Sequence, residues 1–156
     1  MDISDGNNLP KDDAARRQWM AVLAEADTED VQAFWERYEN KPQYTVLRGP
    51  ETGLLMVQAT VGDSGGRFYV GEVTVTKCFV ALSDGTVGAA VVLGRRPRHA
   101  EIAAVMDAQL QDPKKREHLL ESFVQPLARR RQEAERRMAG RVAATRVEFL
   151  TMVRGE

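Results

Sequence analysis

Residues 51–101 read ETGLLMVQATVGDSGGRFYVGEVTVTKCFVALSDGTVGAAVVLGRRPRHAE, and this stretch decides the fold. From Leu54, the residues Leu55, Val57, Ala59 and Val61 alternate onto one face, as a pleated strand requires. Gly62-Asp63-Ser64-Gly65-Gly66 forces a turn, and a longer strand pattern runs from Arg67 to Leu82. Asp84-Gly85 suits a two-residue hairpin turn. That turn predicts a register in which Leu82 faces Val87, Val80 faces Ala89 and Cys78 faces Val91, with all six side chains on one apolar face. Val73 and Val75 have the opposite parity from Cys78, Val80 and Leu82, so a bulge or crossing is expected near Lys77.

Outward from the hairpins, helical spacing takes over. Asp12 or Asp13 is expected to cap a first helix whose stripe is Trp19, Met20, Val22, Leu23 and Ala26. Thr28 is expected to cap a second, carrying Val31, Phe34, Trp35 and Tyr38 and closed by Pro42. Tyr44 to Leu47 reads as a short strand. Beyond the sheet, Pro97 opens a helix with Ile102, Val105, Met106 and Leu110 inward. Asp112-Pro113 repeats the cap-and-proline signal ahead of Leu119, Leu120, Phe123 and Leu127, and Pro126 is expected to kink or divide that helix. Residues 128–138 pair arginine with glutamate at four-residue spacing, which marks a solvated or subunit-bridging helix that Gly140 ends or loosens. From Arg146, the alternation of Val147, Phe149, Thr151 and Val153 predicts a final strand docked on the central sheet or on a partner. The expectation is an α+β fold, an antiparallel sheet of four or five strands packed with N-terminal, middle and C-terminal helices. Residues 1–11 form a flexible tail and 12–156 a single domain.

Composition excludes several classes of function. The chain has 156 residues, enough for one sizeable core, and a net charge of -1 that favours neither nucleic acid nor an anionic membrane. Its single cysteine precludes an intrachain disulfide and a self-contained iron-sulfur site, and suits a reducing compartment. Without an apolar run of membrane-spanning length, and with a polar N-terminus, the sequence predicts a cytoplasmic protein.

Few residues offer chemistry. The glycine-rich loop 62–66 lacks the Gly-Lys-Ser/Thr ending of a phosphate loop and leads into a strand, so it reads as a plain turn. Arg67 beside it, and Arg95 with Arg96 and Arg98, are the candidates for binding phosphate through paired guanidinium donors. His99 and Glu101 are the only pair suited to acid-base work, but two residues apart on a helix their side chains diverge by about 200°. A structural His99 is the simpler reading; His118 is expected on the surface and Cys78 in the core. No metal cluster, nucleophile triad or paired-carboxylate motif stands out. An alternative function is a small binding module for nucleotide or nucleic acid using the arginine-rich C-terminal helix, although acidic residues interrupt it and no stacking aromatics accompany it.

The unusual residues of the central stretch carry a resemblance. Glu51-Thr52-Gly53-Leu54, Gln58-Ala59, Gly66-Arg67-Phe68, Gly71, Asp84-Gly85-Thr86, Gly88, Gly94-Arg95 and His99-Ala100-Glu101 follow one another as in the PhnG family of the bacterial carbon-phosphorus lyase system. Arg17-Gln18-Trp19-Met20 and Thr151-Met152-Val153-Arg154-Gly155 extend the likeness to both ends, whereas residues 112–140 depart from it. The resemblance implies an accessory subunit of a core complex with PhnH, PhnI and PhnJ, with no cofactor of its own. It implies that the complex replaces the adenine of ATP by methylphosphonate, giving ribose 1-methylphosphonate 5-triphosphate. The main synthase machinery would then lie in PhnI and the iron-sulfur cluster in PhnJ.

Overall fold

A computed structural model describes residues 11–62 and 65–153, with side chains described from 13 to 142. The element order is α1 (Lys11–Glu25), α2 (Thr28–Arg37), β1 (Tyr44–Val61), β2 (Gly66–Leu82), β3 (Val87–Leu93), α3 (Pro97–Leu110), α4 (Pro113–Leu119), a π-helical turn at Leu120–Val124 and α5 (Gln125–Val153). The α+β class holds, but the antiparallel sheet has three strands, in the order β1-β2-β3, rather than four or five.

Two local reasons account for the smaller number. The first is that the expected strands at Tyr44–Leu47 and from Leu54 are one strand, because the intervening Gly49-Pro50 forms a bulge between the pairs Arg48↔Phe79 and Glu51↔Lys77. Proline is tolerated there because a bulge on an edge strand needs no ladder donor at that position. Gly49 has φ +84°, and a Cβ on it would run into the Lys77 carbonyl oxygen, so the bulge depends on glycine. The expected irregularity near Lys77 therefore sits on the partner strand; β2 pairs regularly with β3 from Val75 to Ala81. The second reason is that the predicted C-terminal strand is helical through Val153. Val147, Leu150 and Val153 recur at helical spacing even though Val147, Phe149 and Val153 also fit a strand, and a helix already running from Gln125 propagates at lower cost than a new strand nucleates. Gly140 costs that helix only about 1 kcal/mol and does not end it.

The β2-β3 register differs by one residue from the predicted one. Ala81 faces Val87, Val80 faces Gly88 and Cys78 faces Ala90. The loop has three residues, Ser83-Asp84-Gly85: Leu82 N donates to Thr86 O, Gly85 N donates to Leu82 O, and Gly85 takes φ +88°. Asp84 Oδ1 accepts from Thr86 N at 2.9 Å, so the Asp-Gly pair builds a type I turn closed by a left-handed glycine rather than the two-residue turn. A one-residue slip exchanges the faces of β3. Gly88, Ala90 and Val92 are buried, while Val87 and Val91 are exposed.

One face of the sheet is covered by helices. Trp19 and Leu23 of α1, Val31 and Trp35 of α2, nearly all of α3, and Leu119, Phe123, Val124 and Leu127 close over Cys78, Val80, Ala90 and Val92. α3 is buried from Ile102 to Leu110 because it lies between the sheet and the other helices. It comes so near β3 that a Cβ on Gly88 would collide with the Ala104 carbonyl and the Ala108 methyl. The first turn of α1 contains Asp12 and Asp13, one step inside their expected capping positions. The N-cap of α2 is Asp27 rather than Thr28, whose hydroxyl is used elsewhere. Ahead of Pro126 the α-helix is interrupted by the π-helical turn Leu120–Val124 while the helical run continues. A regular helix would press the proline ring on the Ser122 carbonyl. Instead the turn just before it widens, and Gln125 N reaches Leu120 O, five residues back. The expected tail at residues 1–10 lies outside the described residues, and Lys11 is already helical.

Candidate functional site

The polar side chains buried in the core are the first place to look for chemistry, and α3 supplies most of them. His99, in its first turn, is fully buried. Its Nε2 lies 2.7 Å from the Leu23 carbonyl oxygen and its Nδ1 2.9 Å from Thr28 Oγ1. A carbonyl only accepts, so Nε2 carries the proton and Nδ1 of the neutral ring accepts from the threonine hydroxyl. Burial holds the His99 pKa below its ordinary value, against the opposing pull of the Leu23 carbonyl. The ring thereby ties the end of α1 and the start of α2 to the start of α3. Both ring nitrogens are occupied within the chain.

Glu101 points elsewhere, as the 200° divergence requires. It accepts from Tyr44 Oη at 2.7 Å and lies 3.7 Å from Arg98 Nη1. Arg67 and Arg95, the phosphate candidates, are both exposed and far apart. Gly94 N bonds Thr74 O, which places Arg95 level with the middle of β2; Arg67 lies seven residues farther along the strand, about 23 Å away at strand rise. His118 is exposed. Cys78 is buried in the core, its thiol pKa pushed up to about 11, chiefly by burial and further by the charge of Glu101, so little reactive thiolate is present. Among the described residues no group of three or more His, Cys, Asp and Glu side chains is arranged to hold a metal.

Sequence reasoning missed Asp107, the most heavily engaged polar group in the core. Its Oδ1 accepts from Arg16 Nε at 3.1 Å and Trp19 Nε1 at 2.9 Å; its Oδ2 accepts from Arg16 Nη2 at 2.8 Å and Ala89 N at 3.0 Å. Those four donors clamp α1 and β3 onto α3. A signal for it exists in Ala103-Ala104-Val105-Met106-Asp107-Ala108-Gln109-Leu110: a helix apolar on all sides is a buried one, so a charge within it needs partners. Thr76 was also missed. Its Oγ1 donates to Gly94 O at 2.7 Å and accepts from Arg96 N at 2.9 Å, fixing the turn from β3 into α3.

The arginine-rich helix α5 is partly used by the fold. Arg130 Nη1 meets Asp30 Oδ1 at 2.7 Å; Arg131 reaches Glu135 Oε1 and the Glu25 carbonyl, both at 3.0 Å. These contacts fasten α5 to the α1-α2 corner and spend two of the guanidinium groups that a nucleic-acid surface would present.

The most exposed apolar surface lies on the β1-β2 hairpin. β3 ends its pairing at Val75↔Leu93, while β1 and β2 continue past it as a two-stranded ribbon from Gly53↔Val75 to Val61↔Gly66. At strand rise this arm projects about 25 Å. Every described residue from Glu51 to Gly62 and from Gly65 to Glu72 is exposed, except the half-buried Ala59. Leu54 is 68% exposed and Tyr69 62%. Paired residues share a face, so Leu55, Val57, Val61 and Phe68 lie on one side, continuous with Val91 and Leu93 of the uncovered sheet face. Leu54, Met56 and Tyr69 lie on the other.

Similarity to known proteins bears on what such a chain does. A family model described as "Phosphonate metabolism protein PhnG" matches residues 14–155. A protein of Rhizobium meliloti (strain 1021), named alpha-D-ribose 1-methylphosphonate 5-triphosphate synthase subunit PhnG, is 41% identical over 143 residues, covering 92% of this chain and 91% of its own length.

Proposed function

Because this chain belongs to the PhnG family of phosphonate metabolism proteins, we propose that it is an accessory subunit of a ribose 1-methylphosphonate 5-triphosphate synthase. The synthase replaces the adenine of ATP by methylphosphonate. Its partners are homologues of PhnH, PhnI and PhnJ, with the main synthase machinery in PhnI and the iron-sulfur cluster of the later cleavage in PhnJ. The complex works in the cytoplasm; among the described residues no helix is long and apolar enough to cross a membrane.

The observation that carries the accessory role is the use to which the buried ionisable side chains are put. His99 and Asp107 each bind three segments of this chain together. A catalytic group must touch the reacting atoms, and these two touch only the fold. The chain contributes surface to the complex, while the displacement at ribose proceeds on another subunit.

Reconstitution tests this. The purified chain, given ATP and methylphosphonate, is expected to release no adenine, whereas adding it to the PhnH and PhnI homologues from the same source raises adenine release at least tenfold. Turnover by the lone, contaminant-free chain would overturn the accessory role. A synthase equally active without the chain would overturn its membership of the complex.

A further inference from the structure

We propose that the β1-β2 arm is the docking element of this chain, inserted into a largely apolar cleft of another synthase subunit that covers both faces of the ribbon. This rests on the reading of the chain as a synthase subunit. The domain does not need the arm for its core, since none of Leu54, Leu55, Met56, Val57, Phe68 or Tyr69 belongs to the helix-covered cluster. A two-stranded ribbon is marginal by itself in water, and an exposed apolar patch of this extent on a folded chain marks an interaction surface.

The chemistry of the arm specifies the cleft. From Gly53 to Thr74, Arg67 and Glu72 are the charged side chains among the described residues, and both lie on the face of Met56 and Tyr69. Among the described residues the other face carries no charge. A complementary cleft is therefore apolar on one wall and carries on the other an acidic group for Arg67 and a basic group for Glu72. The two edges also differ. The β2 edge is interrupted by the extra residue Val70, between the pairs Val57↔Gly71 and Gln58↔Tyr69. The β1 edge from Glu51 to Val61 has no lysine, proline or extra residue to discourage pairing, so it is the edge to which a partner strand adds.

A second copy of this chain fits less well. A twofold contact through one face of the arm leaves the opposite face in water, with Leu54, Met56 and Tyr69 still exposed or, in the reverse arrangement, Leu55, Val57 and Phe68. An exchanged arm would need an apolar cleft on the chain itself. The apolar groove between α1 and β3, lined by Met20, Leu23, Ala24, Ala90 and Val91, has a volume of about 220 Å³, below even the 300 Å³ or so that a small-molecule site occupies. A different subunit with a larger cleft is the occupant that buries both faces.

The test uses one charge on each face, Phe68→Asp and Met56→Asp, in the full chain. Both sites are solvent-exposed, so the circular dichroism spectrum and urea midpoint of the lone variants should match wild type. Each variant is expected to weaken binding to the PhnI homologue at least tenfold by titration calorimetry, and the lone wild-type chain should be monomeric by light scattering. Wild-type affinity in both variants overturns the docking arm while leaving the subunit reading intact. A dimeric lone chain that Phe68→Asp dissociates, with Met56→Asp inert, overturns it in favour of a second copy. If the wild-type chain binds none of the PhnH, PhnI and PhnJ homologues, the subunit reading and the arm fall together.

Discussion

Replacing Asp107 by alanine should be among the most damaging single changes to this fold, and its cost can be worked from the donors left behind. Trp19 Nε1 and Ala89 N would each lose the oxygen they now bond at 2.9 and 3.0 Å. An unsatisfied buried donor costs about 1–3 kcal/mol. Arg16 must be treated differently, because its side chain is 37% exposed while that of Asp107 is fully buried. The guanidinium can turn into water, so the 3–5 kcal/mol typical of breaking a wholly buried ion pair does not apply in full. The total is about 3–5 kcal/mol, a large share of the roughly 5–15 kcal/mol that stabilises a domain. With a urea slope of about 2 kcal/mol per molar, the unfolding midpoint should fall by about 2 M. Asp107→Asn keeps the volume and one acceptor oxygen but turns an amide N-H towards a donor, and should cost about half as much. Urea denaturation followed by tryptophan fluorescence reads both. A loss below about 1 kcal/mol for the alanine variant would show that the four-donor clamp is not what holds α1 and β3 to α3.

Gly88→Ala places a methyl where Ala104 O and Ala108 already sit and should destabilise the chain by about 1–3 kcal/mol, as overpacking does; calorimetric melting checks it, and an unchanged melting temperature would contradict the close approach of α3 to β3. His99→Ala should cost about 1–3 kcal/mol through the freed Thr28 hydroxyl and Leu23 carbonyl, yet leave synthase turnover in the assembled complex within about tenfold of wild type. The His99 pKa is lowered in the fold, so the unfolded chain binds the extra proton first: the contribution is complete above the unfolded value of about 6.5 and is lost as pH falls from there through the folded value. Urea midpoints between pH 7 and pH 5 should therefore slope less in His99→Ala than in wild type, and equal slopes would show that the ring is not buried neutral.

The α+β class and the positions of the helices were legible because Trp19 and Leu23, Val31 and Trp35, and Ile102 to Leu110 announce their buried faces by spacing. The β3 face was not. Val87-Gly88-Ala89-Ala90-Val91-Val92 is apolar at both parities, so only the loop length could set the register, and one extra residue in Ser83-Asp84-Gly85 reversed it. The arm's alternation of Leu55, Val57, Ala59 and Val61 was correctly seen as a strand face, but alternation cannot say whether a helix or water lies against it. The divergence of His99 and Glu101 followed from helix geometry alone, whereas the partners of His99, Leu23 and Thr28, lie some 70 residues away in sequence and had no local sign. Val147 to Val153 failed as a strand because apolar residues at positions 147, 149, 150, 152 and 153 satisfy either period.

The bulge at Gly49-Pro50 divides this chain into two mutational regimes. On its sheet side, Cys78 and Val80 of β2 lie in the helix-covered core with Tyr44 of β1 and Leu82 packed against it, and a saturation survey scored by resistance of the isolated chain to proteolysis would find most substitutions at those positions punished. Beyond it, from Leu54 to Glu72, the same survey would be nearly blank, since polar replacements there remove no core contact and even relieve exposed apolar area. A survey scored instead by growth on a phosphonate as the sole phosphorus source would light up that blank stretch. The difference between the two maps would outline the assembly surface residue by residue, with no structure of the complex required.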